Sequence, residues 1–201
     1  MTTTTATTNA NVLSQGKDFD INVLVFFRGD WCPFCQSYLR ELNGEFTSDI
    51  EALGGRIVAI TSQSQEAAAA AKQAWGLGFD VISDPSTELA QQFNVNVTPK
   101  EESPLAEHPT EYPNGMTQTG VIILDRDGNQ IYHWAVDPTE VNLHGASDRP
   151  LPEEVWAAID AHRNGGQRPA TSEQRLDPQF LAQNYPEQFA HFEAWVASQS
   201  A

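Results

Sequence analysis

Cys32 and Cys35 are the only cysteines in this 201-residue chain, and they sit together in the segment Trp31-Cys32-Pro33-Phe34-Cys35. Two cysteines cannot build the disulfide framework of a secreted domain. They also fall two ligands short of a structural zinc site. The competing readings of a lone C-x-x-C are half a metal site or two incidental core cysteines. Its position favours thiol–disulfide exchange instead. Residues 21–27 (INVLVFF) form a short apolar run, the pattern of a strand buried on both faces. A short turn follows, and then Pro33, the residue preferred at the first position of a helix. Cys32 would then be the N-cap, where unpaired N–H groups and the positive end of the helix dipole favour thiolate. Cys35 lies one turn on, beneath it. The expectation from spacing is that Cys32 has the lower pKa and attacks a disulfide, and that Cys35 resolves the mixed disulfide.

The elements that must hold this pair alternate between strand and helix. A three-four apolar spacing of Phe34, Tyr38, Leu39, Leu42 and Phe46 predicts one helix over about 33–53, weakened or bent at Gly44. Residues 56–61 (RIVAIT) read as a second buried strand. Ser62 and Gln65 resemble a capping box opening an Ala-rich helix over 65–75. A short strand over 79–82 and a short helix over 87–93 follow. Residues 94–118 carry four prolines and four glutamates, the mark of a functional or partly mobile loop. Asp127-Gly128 is a strong hairpin signal between strands over 120–124 and 130–136. A helix over 153–162, a polar linker over 165–178 and a tail helix over 186–198 complete the chain. In the tail, Phe189, Phe192 and Val196 share one face. The order implies an α/β fold with a mixed central sheet flanked by helices. The expected divisions are a disordered leader at 1–18, one domain at 19–164, and a linker with a helical extension at 165–201.

Eleven Lys and Arg stand against 27 Asp and Glu, for a net charge of -16. Such a surface repels phosphate backbones and anionic membranes, so neither nucleic acid nor membrane is an expected partner. There is no apolar run long enough for a transmembrane helix. The first 16 residues lack the apolar core of a secretory signal. A cytoplasmic location is expected.

The segment Arg28-Gly29-Asp30-Trp31-Cys32-Pro33-Phe34-Cys35 after VLVFF resembles the thioredoxin-like superfamily, and more narrowly the peroxiredoxin-like branch of the AhpC/TSA (redoxin) family. The resemblance runs on through IVAITSQSQE, FDVISDPSTELAQQFNV and VIILDRDGNQIYHW, over roughly 20–163. It implies a thioredoxin-like fold with a redoxin-type β-α insertion and a C-terminal helical tail. It also implies an oxidoreductase without cofactor or metal. Its partners would be a disulfide-bearing protein or small thiol, with peroxide as the alternative, acting on a monomer or homodimer. Peroxiredoxins carry P-x-x-x-T-x-x-C, which places Arg28 at the Pro, Cys32 at the Thr and Cys35 at the peroxide-attacking Cys. The later peroxiredoxin Arg, or the thioredoxin cis-Pro, falls at Thr119.

The candidate catalytic residues are therefore Cys32 and Cys35, with Arg28, Asp30, Trp31, Pro33, Phe34 and Thr119 as neighbours. Arg28 either lowers a thiol pKa by its charge or pairs on the surface with Asp30. Trp31 either shapes a docking surface or orders the turn. His133 and His144 are weaker candidates for acid–base or ligand roles. Three functions compete: a thiol–disulfide oxidoreductase cycling Cys32 and Cys35, a peroxide reductase attacking through Cys35, and a non-catalytic redox-sensing or partner-binding module. With the usual Thr and Arg replaced, peroxide reduction is expected to be slow.

Overall fold

The computed structural model describes residues 15–101, 111–139, 142–166, 173–175, 179, 182–183 and 186–199. A five-stranded mixed sheet runs through it in the order β3-β2-β1-β6-β7. Strand β1 (Ile21–Phe26) pairs in parallel with β2 (Arg56–Thr61), and β2 in parallel with β3 (Asp80–Ser83). On its other edge β1 meets β6 (Gly120–Asp125) antiparallel, and β6 meets β7 (Gln130–Ala135) through the turn at Gly128, φ 84°.

Every residue of β1 is buried, and its side chains divide by the strand period of two. Val23, Val25 and Phe27 enter one apolar cluster with Phe34, Leu39, Ile57, Ala59, Val121 and Ile123. Leu24 and Phe26 enter a second with Val58, Ile60, Phe93 and Ile122 on the opposite face. Each such buried side chain contributes about 1.5–3 kcal/mol, so the end of β1, from which the cysteine turn departs, is firmly anchored.

The helix expected over 33–53 is two helices, α1 (Pro33–Leu42) and α2 (Glu45–Ala52). The break at Asn43-Gly44 is stabilised by side chains: Asn43 Nδ2 donates to Gly76 O at 3.1 Å, and Asn43 Oδ1 accepts from Gly78 N at 2.6 Å. Helix α3 spans the expected Gln65–Trp75, but its cap lies two residues past the Ser62 of the capping-box reading. Its N-cap is Ser64, whose Oγ accepts from Ala67 N at 3.2 Å. Ser62 is instead buried, accepting from Thr117 N at 2.9 Å. The short α4 (Glu88–Gln92) follows β3, and Asp84 caps it through Leu89 N and Ala90 N.

Two-residue strands β4 (Val97–Thr98) and β5 (Met116–Thr117) close the ends of the long Pro- and Glu-rich loop. After β7 the chain turns through Leu143, His144 and Gly145, all at positive φ, into β8 (Asp148–Pro150) and α5 (Pro152–Asn164). The polar stretch expected as a plain linker contains β9 (Glu173–Arg175), which pairs antiparallel with β8. The tail helix α6 (Pro186–Gln199) lies against α1, and its Phe189 packs on the main apolar cluster. The side chains of Phe192 and Val196 lie outside the described residues. Among the described residues no helix is long and apolar enough to cross a membrane.

Candidate active site

Cys32 occupies the N-cap of α1 with extended backbone (φ -85°, ψ 109°) and Pro33 directly after it. Its N–H donates back to Gly29 O at 3.2 Å, which tightens the turn. Cys35 lies one helical turn on, and the two sulfurs are hydrogen-bonded. Both are unbonded thiols, each 1 % exposed. Phe34, which separates them in sequence, is fully buried in the core, and Pro33 is also buried.

The electrostatics run opposite to the expectation from spacing. Burial pushes the Cys32 thiol up, and the hydrogen bond to Cys35 and the negative charge there push it further, well above the ordinary value. No N–H of the helix end caps the Cys32 side chain. Burial would raise Cys35 as well, but four influences overcome it. These are the hydrogen bond from Cys32, the charge of Arg149, the backbone N–H of Arg28 and the charge of Arg28, and together they bring Cys35 down to about 5. Both shifts point the same way, toward Cys35 as the thiolate and Cys32 as the thiol that keeps its proton.

Arg149 is the residue that sequence reasoning missed. It sits on β8, is 2 % exposed, and its Nη2 donates to Cys35 Sγ at 3.1 Å. Its Nη1 donates to Ala146 O at 2.9 Å, Asp148 O at 2.6 Å and Thr119 Oγ1 at 3.3 Å. Three of these four acceptors are neutral. A buried guanidinium needs a compensating anion, and the Cys35 sulfur is the acceptor that supplies one. Thr119, where the resemblance calls for an arginine, holds that guanidinium through its hydroxyl. A positive charge thus reaches Thr119 and Cys35 from β8.

The other expected neighbours divide. Arg28 is 6 % exposed, and its guanidinium stacks on Trp31 at 5.2 Å. The surface pair with Asp30 does not form. Asp30 Oδ1 accepts from Gln63 Nε2 at 2.8 Å, while Asp30 N donates to Gln63 Oε1 at 2.8 Å. Trp31 Nε1 donates to the hydroxyl of the buried Tyr112 at 2.7 Å. The histidines do not join the site: His133 Nε2 contacts Phe93 O at 2.9 Å, and His144 is exposed in its turn. No cluster of three or more metal-ligating side chains occurs among the described residues.

The sequence profile of the AhpC/TSA family matches residues 2–133. None of the curated proteins compared with the chain matches it. Among solved structures, reduced 2-Cys peroxiredoxin from Plasmodium vivax superposes with a TM-score of 0.56 at 16 % identity, over 76 % of this chain and 83 % of that one. A cysteine-to-serine mutant of PrxQ from Xylella fastidiosa gives 0.55 at 18 % identity, over 75 % and 82 %. AhpC from Enterococcus faecalis gives 0.54 at 17 % identity, over 75 % and 81 %. These likenesses establish a shared thioredoxin-like fold. With a profile match across β1, the cysteine turn and the β6–β7 hairpin, the chain belongs to the AhpC/TSA family and is an oxidoreductase of thiol chemistry.

Proposed function

We propose that this protein reduces a hydroperoxide with Cys35 as the attacking thiolate and Cys32 as the resolving thiol. The observation that carries the reading is the contact between Arg149 Nη2 and Cys35 Sγ inside a site where both residues are buried. The thiolate sulfur attacks one oxygen of ROOH, the O–O bond breaks, and Cys35 becomes a sulfenic acid. RO⁻ leaves and takes a proton from solvent as ROH. Cys32 then attacks the sulfenic sulfur, the S–S bond forms, and hydroxide leaves with the Cys32 proton as water. An external thiol reductant attacks the disulfide and restores both thiols.

Two features of the site suit this order. As the O–O bond lengthens, negative charge builds on the departing oxygen, and preorganised cations stabilise it without reorganisation. Arg149 and Arg28 are the two cations beside the sulfur. Burial of both cysteines favours a small oxidant over a folded protein as first reactant. The dithiol–disulfide cycle expected from the C-x-x-C spacing is retained, with the roles of the two sulfurs exchanged. Such a cycle requires a supply of thiol reductant, which a cytoplasmic location would provide.

Stopped-flow oxidation of the reduced protein by hydrogen peroxide and by an alkyl hydroperoxide tests the proposal. Each should outpace oxidation by a protein disulfide. A protein disulfide reacting faster than either peroxide would overturn it.

A further inference from the structure

The turn between β1 and α1 is gripped by a side chain from the long loop. Tyr112 is fully buried, and its hydroxyl accepts from Trp31 Nε1 at 2.7 Å and donates to Arg28 O at 3.0 Å. Its ring packs with Met116 and Trp31 in a small apolar cluster apart from the main core. Gly29 lies under this grip. A Cβ there would collide with Tyr112 Oη, with Trp31 Nε1 at 2.7 Å and with Gln63 Cδ at 2.9 Å, so only glycine lets the three side chains close on the backbone. From the opposite side Gln63 holds Asp30 through two hydrogen bonds.

What Tyr112 grips is what faces the thiolate. The backbone N–H and the charge of Arg28 are both among the influences that lower Cys35, and Tyr112 fixes the carbonyl of that same residue. The Arg28 guanidinium stacks on Trp31, and Tyr112 fixes the indole. One hydroxyl thus orders both the backbone and the side chain of Arg28. It does so from 84 positions along the chain, without touching either sulfur. The charged and titratable groups facing Cys35 are Cys32, Arg28 and Arg149, and two of the favourable influences on it come through Arg28. Those facing Tyr112 are Glu111, Asp30 and Arg28, with burial first among the causes that keep its phenol protonated.

We infer that Tyr112 is a positioning residue for the thiol chemistry, clasping the Arg28 backbone and the Trp31 indole so that Arg28 stays aligned on Cys35. The inference rests on Cys35 being the attacking thiolate.

The test is a thiolate absorbance titration and a pH–rate profile for peroxide oxidation, on the full chain and on Tyr112→Phe. The variant keeps the ring and loses both hydrogen bonds of the hydroxyl. The Cys35 titration should move up by about one pH unit, a tenfold shift in the ionisation constant. The acidic limb of the rate profile, where the thiolate forms, should move by the same amount. A purely structural role would lower the melting temperature and leave both midpoints in place, and that outcome overturns the inference. If Tyr112→Phe does not fold, Trp31→Phe decides. It removes one of the two bonds and should move the titration in the same direction by less, and an unmoved midpoint overturns the inference. A wild-type chain whose Cys35 titrates in the ordinary thiol range defeats the underlying functional reading instead.

Discussion

Arg149 Nη2 donates to Cys35 Sγ at 3.1 Å, joining β8 to the first turn of α1 across 114 residues of sequence. The pair is mutual. The guanidinium stabilises the sulfur as an anion, and the sulfur gives the guanidinium the counter-charge that its neutral oxygen acceptors cannot.

The first consequence is kinetic. Arg149→Met removes a cation aimed at the reacting sulfur and at the charge that grows on the peroxide oxygens. Loss of one such preorganised donor slows the chemical step by about 10²–10³-fold. Arg149→Lys keeps the charge but lacks the planar fork that reaches Thr119, Ala146 and Cys35 together, so its rate should fall between the two. Stopped-flow rates for the three proteins check this ranking. Equal rates for Arg149→Met and wild type would remove Arg149 from the mechanism.

A second consequence is a pH dependence of stability with a definite sign. The folded Cys35 titrates at about 5, and an unfolded cysteine at about 8.5. Between those values the unfolded chain binds a proton that the folded chain does not. Stability therefore rises with pH through the window, by about 1.4 kcal/mol per pH unit at most. The gain is fully present above the unfolded pKa and is lost as pH falls through the folded one. Cys32, whose folded pKa is raised, acts in the opposite sense above about 8.5. The melting temperature of the reduced protein should climb from pH 5 toward pH 8 more steeply than that of Cys35→Ser. Parallel curves for the two proteins would argue against a buried thiolate.

Much of this site was legible in the sequence, and the reason it was not all legible is physical. The β1 run, the Asp127-Gly128 turn and Cys32 ahead of Pro33 are local signals, carried by neighbours in the chain. So is the C-x-x-C spacing that brings the two sulfurs together. Which sulfur ionises depends instead on burial and on charges arriving from elsewhere. Arg149 comes from a polar segment with no periodicity, where a buried arginine looks like any surface one. Tyr112 comes from a loop whose prolines and glutamates gave no hint of a buried ring. The weak point at Gly44 was visible, but its becoming a full break was not, since the side-chain partners of Asn43, Gly76 and Gly78, belong to the loop after α3.

Oxidation should loosen the molecule around β8. Forming the Cys32–Cys35 disulfide consumes the anion beside Arg149 and leaves its guanidinium buried among neutral oxygens. Removing one partner of a buried ion pair costs roughly 3–5 kcal/mol. The new bond closes so short a loop that its entropic benefit is only about 2 kcal/mol. The oxidised protein should therefore melt below the reduced one. Amide exchange should also quicken across 142–150, where Leu143, His144 and Gly145 already hold positive φ. An oxidised form that melts higher, with that segment equally protected, would contradict the argument.

The division of labour between the sulfurs can be read from two substitutions at Cys32. Cys32→Ser replaces one hydrogen-bond donor to Cys35 by another, so the thiolate and its first reaction with peroxide should survive, within about threefold of the wild-type rate given that only the donor's identity changes. The hydroxyl cannot attack a sulfenic sulfur usefully, so the reaction stops there. Mass spectrometry should find one added oxygen on Cys35 and no further turnover with a thiol reductant that needs the disulfide. Cys32→Ala removes the donor altogether. Cys35 should then titrate higher, and the first step should slow at neutral pH but recover as the pH is raised. Cys35→Ser should abolish the first step. If Cys32→Ser instead eliminates the fast reaction with peroxide while Cys35→Ser retains it, the nucleophile is Cys32, and the dipole at the helix end outweighs the guanidinium of Arg149.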